Sequence, residues 1–250
     1  MPTDKTDKNG DLHDGNSGRY KSKSAAEMSK ENAVSLKNEV LTVVDPRDIL
    51  EKPLTFTDSK SVEDFFFYDD KKSGLLYKKN SSHGKWEQRL TPNQRYTLSD
   101  YAADGYSNIN SFLRGYDNGN SYSVDFVKRQ ITDLDKAIAD YELREPIITY
   151  RSINSTAFSE FLDDMSKLVG TEYSDPAFMS TSPTLDSSAL NKDLLMTIKL
   201  PKGKGIGAFI AEHSGLKDET EFLLARNSKF VITKAHKDKN TYKIEMELIK

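Results

Sequence analysis

The feature that most constrains how this chain folds is a change of periodicity at Pro146. Before it, Leu98, Tyr101, Ala102, Tyr106, Ile109, Phe112 and Leu113 recur at threes and fours, the spacing of a buried helix face. Gly105 predicts a division of this stretch into two helices. Ser123 then opens an amphipathic helix in which Val127, Ile131, Leu134 and Ile138 share one side. After Pro146 the pattern reads as strands, at 147–151, 177–181, 194–200, 206–211, 221–225, 229–233 and 242–249, with one helix at about 158–168. Helices first and strands later predict an α+β domain, not a βαβ repeat.

The texture of the chain sets its domains. Residues 1–45 are rich in Lys, Asp, Ser, Asn and Gly and poor in large apolar residues, so a disordered N-terminal tail is expected. Residues 46–90 read as a poorly defined extension or linker, with a short helix over 57–68 carrying Val62, Phe65, Phe66 and Phe67, then a polar stretch containing Trp86. The main folded domain is expected at 91–250. With 36 basic and 39 acidic residues the net charge is -3, so no overall field recruits nucleic acid or an anionic membrane. The absence of cysteine excludes disulfides, thiol nucleophiles and cysteine–zinc sites. The four histidines are scattered, and His213 reads as an exposed loop residue. No apolar run approaches the roughly 20 residues that cross a bilayer, and Met1-Pro2-Thr3-Asp4-Lys5 lacks the apolar core of a secretory signal. A protein of this kind that leaves its cell is expected to use another route, or to be cut from a longer precursor.

Four motifs follow in order. Arg151 ends the run Ile147-Ile148-Thr149-Tyr150 and offers a forked donor suited to phosphate or carboxylate. Phe178-Met179-Ser180-Thr181-Ser182-Pro183 places hydroxyls behind an apolar lead. The glycine-rich run from Pro201 to Ile210 lacks both the dinucleotide and the Walker spacing, so it reads as a tight hairpin connection. Finally, Lys217-Asp218-Glu219-Thr220-Glu221-Phe222-Leu223-Leu224 puts two carboxylates at the mouth of an apolar strand. If that segment is extended, Glu219 and Glu221 share one face. Taken singly, each motif also has a plain reading as a surface charge, an edge strand or a solvated strand entrance.

In succession, arginine on a strand, Ser-Thr-Ser, then Glu-x-Glu, they resemble the mono-ADP-ribosyltransferase toxins of the arginine, Ser-Thr-Ser, Glu-x-Glu class over roughly residues 98–250. The resemblance implies an ADP-ribosyltransferase-like fold, with N-terminal helices followed by two packed, mainly antiparallel sheets around an NAD cleft. It implies NAD as co-substrate and no required metal. Cleavage of the bond from ribose to nicotinamide passes through an oxocarbenium-like state, which a nearby carboxylate stabilises. By this resemblance Glu221 takes that role, Ser180 positions it, Arg151 clamps the pyrophosphate and Arg114 touches the NAD phosphates. Phe158, Phe178 and Phe209 are candidates to stack on nicotinamide, and equally candidates for the core.

Glu219 bears on the acceptor. A protein guanidinium is protonated at neutral pH and is a poor nucleophile, so a carboxylate that orients it and helps remove its proton is useful. Within the family this glutamate goes with arginine modification, so transfer to an arginine of a target protein is implied, actin being one precedent. Two departures stand out: residues 212–218 hold no aromatic residue, and Lys192 stands where relatives often carry an arginine. The resemblance implies a toxin or effector, secreted, phage-delivered or moved into a target cell without a signal peptide, with an immunity protein as a further expected partner. The alternatives are an NAD glycohydrolase without a specific acceptor and an inactive fold kept for binding.

Overall fold

The computed structural model describes residues 5–6, 12–13, 52–68, 81–116, 122–187, 189–214 and 220–249. Of the expected tail it describes β1 (Lys5–Thr6) and β2 (Leu12–His13), which pair antiparallel; the rest of 1–45 lies outside the described residues.

Five α-helices form the first half of the described chain: α1 (Ser59–Phe67), α2 (Ser82–Arg89), α3 (Pro92–Asp100), α4 (Tyr106–Leu113) and α5 (Val124–Ala139). Their starts follow from capping. Asp58 and Ser61 close a capping box on α1, Ser81 accepts from Gly84 N–H on α2, and Thr91 with Gln94 caps α3 ahead of Pro92. The expected break at Gly105 is not there. Tyr101–Gly105 forms a π-helical turn that joins α3 to α4 without interruption. The wide turn brings Asp100 so close that a Cβ on Gly105 would meet its Oδ2 at 2.2 Å, so the glycine serves close approach here, not chain breaking.

Two sheets follow. The larger has the order β4-β7-β12-β11-β5, made of β4 (Ile147–Ile153), β5 (Glu172–Ser174), β7 (Leu194–Leu200), β11 (Lys229–Asp238) and β12 (Thr241–Leu248). Only the β7–β12 pair within it is parallel. The smaller, antiparallel sheet has the order β6-β10-β9, from β6 (Met179–Thr181), β9 (Gly207–Phe209) and β10 (Phe222–Leu224). Strand β7 alternates strictly between buried and half-buried residues, as a strand with one covered face does. β9 and β10 are buried throughout: Phe66 of α1 stacks on Phe209 and Phe222, and α5 packs against β9.

Two sequence expectations change. The glycine-rich run is not a hairpin: β8 (Gly203–Lys204) pairs with β3 (Glu142–Leu143), and the chain passes from the large sheet at β7 to the small one at β9. The single helix at 158–168 is instead two 3₁₀ segments, Ser155–Phe161 and Met165–Leu168, with Phe158 non-helical between turns. Their buried residues, Ser155 with Phe158 and Met165 with Leu168, are three apart, which suits the tighter helix.

One hydrophobic cluster joins helices and sheets. The described part of 46–90 belongs to it. Phe66 stacks on Phe209 with ring centroids 4.2 Å apart, Trp86 donates its Nε1–H to Ala137 O at 2.8 Å, and Leu54 bridges to Ile147 of β4. Where β9 meets β10 the packing leaves no room for a side chain. A Cβ on Gly207 would lie 2.6 Å from Leu223 O and 2.6 Å from Phe222 Cε1. Gly207→Ala is therefore expected to lower stability by about 1–3 kcal/mol, read as a fall in the denaturant midpoint at unchanged m-value.

Candidate active site

The two sheets touch at one bridge, where Tyr150 of β4 and Ser182 exchange backbone hydrogen bonds of 2.7 and 2.8 Å. That bridge brings the dispersed motifs together. Arg151, the next residue of β4, donates from Nη1 to Ser180 O at 2.7 Å. Ser180 lies opposite Leu223 of β10, and Thr181 donates its hydroxyl to Phe222 O at 2.7 Å. Glu221 sits one residue ahead of β10, 7% exposed, its carbonyl accepting from Ile210 N–H at 2.9 Å.

The two-residue alternation expected across Glu219 and Glu221 does not extend through Thr220. Its φ of 37° is in the left-handed region, uncommon for a β-branched residue, and the strand begins only at Phe222. Thr220 is buried, with its hydroxyl 3.0 Å from Ser182 Oγ. The third residue of Ser-Thr-Ser thus fixes the middle residue of Glu-x-Glu, and the local strain is compensated by that buried hydrogen bond. Glu219 lies outside the described residues.

Arg151, Ser180, Thr181, Ser182 and Glu221 line a cleft of about 710 Å³ together with Tyr101, Tyr106, Asn110 and Arg114. The aromatic residues of the cleft are these two tyrosines and Tyr150 of β4. Phe158, Phe178 and Phe209 are at most 2% exposed and belong to the core. Sequence reading placed Tyr101 in a helical core stripe and missed its polar task. Its phenol pKa is raised above the ordinary tyrosine value, first by burial and then by the negative charge of Glu221. Hydrogen bonds with Asn110 and Ser180 and the charge of Arg151 act the other way. Asn110 Nδ2 donates to Tyr101 Oη at 3.0 Å. The π-helical turn matters here, because an i→i+5 turn lets residues five apart, Tyr101 and Tyr106, face the same cleft.

Arg114 lines the cleft, but one edge of its fork is committed: Nε and Nη2 donate to Asp175 at 3.0 and 2.6 Å. Burial alone would lower the guanidinium pKa, and the pairing with Asp175 outweighs it, so the group is held firmly charged. Asp175, between β5 and β6, had no signal in the sequence. Lys192 also lines the cleft and is exposed.

Arginine on one strand, Ser-Thr-Ser at the end of a second and a buried glutamate at the head of a third thus meet at one cleft. The family model described as ADP-ribosyltransferase exoenzyme matches residues 79–250, and the chain belongs to that family. It is 31% identical over 156 residues to the NAD(+)--arginine ADP-ribosyltransferase EFV of Enterococcus faecalis, covering 59% of this chain and 30% of that protein. It is 29% identical over 170 residues to the mono(ADP-ribosyl)transferase SpvB of Salmonella typhimurium, covering 59% of this chain and 28% of that protein. The chain thus spans under a third of the length of these curated relatives. Among solved structures, the ADP-ribosylating toxin BECa of a C. perfringens binary enterotoxin, solved with NADH, matches with a TM-score of 0.67 at 21% identity, covering 79% of this chain and 50% of that one. Plx2a, an ADP-ribosyltransferase toxin from Paenibacillus larvae, matches with a TM-score of 0.62 at 21% identity, covering 79% and 100%. These structures share the α+β fold described above.

Proposed function

We infer that this chain is a mono-ADP-ribosyltransferase that moves ADP-ribose from NAD to an arginine side chain of a target protein and releases nicotinamide. The observation that carries this reading is the convergence of Arg151, Ser180 and the buried Glu221 on one cleft that Tyr101, Asn110 and Arg114 also line. The printed name of the Enterococcus relative, an arginine ADP-ribosyltransferase, supports the choice of acceptor.

Each residue then has a task. Arg151 and Arg114 offer their remaining donors to the pyrophosphate, and Lys192 adds a point charge at the cleft rim. Glu221 faces the ribose as the bond from C1′ to the nicotinamide nitrogen breaks and its electron pair leaves with nicotinamide. Ser180 and Tyr101 hold Glu221 in place. Glu219 orients the incoming guanidinium, takes part of its charge and helps remove the proton lost when the new C1′–N bond forms. The catalytic unit we assign begins ahead of Leu54, because α1 and α2 share the core of the strands that carry the site. We assign the protein to the delivered toxins and effectors. Actin is one candidate acceptor, and an immunity protein is a candidate partner in the producing cell.

The test is transfer of labelled NAD to proteins in bacterial and eukaryotic lysates. A discrete labelled band is expected, its label bound through arginine. Glu219→Gln is expected to suppress labelling by at least about tenfold more than it suppresses nicotinamide release in the absence of acceptor. Equal loss of both activities would remove the acceptor role of Glu219. Nicotinamide release with no labelled protein in any lysate would favour the NAD glycohydrolase reading.

A further inference from the structure

Away from the cleft, two residues of α2 meet two residues of the turn that follows β9. His83 and Glu87 lie one helical turn apart on one face of α2, and Glu212 and His213 are adjacent in the turn 211–213. The contacts are crossed. His83 Nε2 is 3.0 Å from Glu212 Oε2, and His213 Nε2 is 2.7 Å from Glu87 Oε1. His213 is therefore not the exposed loop residue the sequence implied: its side chain is 9% exposed. The ligand-type atoms of His83, Glu87 and Glu212 lie within 4.8 Å of one another, the one such group among the described residues.

An imidazole nitrogen and a carboxylate oxygen each present a lone pair. At separations of 2.7 and 3.0 Å a proton bridges each pair unless a metal ion takes its place. The other nitrogen of each ring decides what the geometry favours. Tyr141 Oη is 3.5 Å from His83 Nδ1, and Ser99 Oγ is 3.3 Å from His213 Nδ1. An oxygen that accepts from Nδ1–H leaves Nε2 as the lone-pair nitrogen and fixes the ring, the usual support of a metal-binding histidine. His83 is 2% exposed and boxed by the rings of Phe67, Trp86, Tyr141 and Phe209, a setting in which an imidazolium is costly and a neutral ligand is not. Arg95 Nη1 donates to Glu87 Oε2 at 2.7 Å, which leaves Oε1 directed at the histidine.

We propose that His83, Glu87 and Glu212 bind a divalent transition metal of the zinc type, which cross-links α2 to the turn after β9, with His213 beside Glu87 as a supporting residue. One imidazole and two carboxylates suit zinc better than calcium or magnesium, which prefer oxygen alone. Three protein ligands leave one position to water, and none of the three lines the cleft. Bonds of about 2.0–2.2 Å require the ligand atoms to draw in by roughly 1 Å from their widest separation. Glu212, at the exposed end of the group, is the side chain placed to supply that movement.

The experiment is calorimetric titration of zinc into the chelator-stripped full chain, with the visible absorption of the cobalt-substituted protein as a second readout. One ion per chain is expected, with Kd of about 1 μM or below and cobalt bands of tetrahedral intensity. Glu212→Gln, at an exposed position, is expected to abolish both signals, and His213→Gln to weaken binding by about 10–100-fold. His83→Gln tests the buried ligand, with the exposed Glu212 variant guarding against misfolding. No binding at about 1 mM zinc would leave proton-bridged pairs only and overturn the proposal. Binding that survives unchanged in Glu212→Gln and His83→Gln would overturn it equally.

Discussion

Glu221→Gln is expected to cut the rate of nicotinamide release by about 10²–10³-fold, equivalent to about 2.7–4 kcal/mol of lost transition-state stabilisation. The substitution keeps the size of the side chain and removes only its charge. That charge is placed where it counts most: Glu221 is 7% exposed, at the junction of the sheets, and the field of its carboxylate is felt at the Tyr101 phenol. In such a setting a fixed charge acts through a low local dielectric and need not reorganise as the ribose becomes cationic. The ground state of NAD does not call for the same interaction at C1′, so the loss should fall on kcat much more than on substrate binding. The measurement is steady-state nicotinamide release by variant and parent, with NAD affinity and the unfolding midpoint taken in parallel. A variant that folds, binds NAD within about tenfold of the parent and still releases nicotinamide at the parental rate would remove Glu221 from the reaction.

The sequence showed the chemistry of the site more clearly than its frame. Arg151, Ser180 and Glu221 could be singled out because each stands where an apolar run of the sequence meets polar residues. β7 was legible as a strand, and its seven residues alternate throughout between buried and half-buried. What escaped notice depends on distant contacts. Tyr101 looks like one more apolar position of a helix until the π-helical turn rotates it into the cleft beside Tyr106. Asp175 is an unremarked acid in a loop until Arg114, 61 residues earlier, donates two hydrogen bonds to it. Thr220 gives no hint of its positive φ, because threonine prefers extended backbone and only the buried Ser182 hydroxyl compensates for the departure. Crossed pairs such as His83–Glu212 are invisible for the same reason: polar residues in two separate loops and helices carry no periodicity.

The segment most undervalued by sequence reading was α2, and Trp86→Ala measures how far. Ser82–Arg89 is short and mostly polar, so no amphipathic stripe announces it. Its buried large side chains are His83 and Trp86, and they do its packing. The indole is 1% exposed, edge-on to Tyr141 with centroids 4.9 Å apart, and hydrogen-bonded to Ala137 O in α5. Truncation removes the packed ring, leaves a cavity against α5 and deprives a buried carbonyl of its donor, so a loss of about 3–5 kcal/mol is expected. For a domain whose total stability is of order 5–15 kcal/mol, that is a large fraction, and it should appear as a marked fall in the denaturant midpoint of the full chain. Trp86→Phe, which keeps much of the apolar volume but not the Nε1–H, should cost distinctly less. The outcome also decides where the catalytic unit begins. Were residues 46–90 an extension only loosely attached to the domain, the substitution would change stability by no more than about 0.5 kcal/mol, the range of ordinary surface changes. A cost several times larger would place α2, and with it the turn that leads toward Glu221, inside the cooperative unit that folds and works as one.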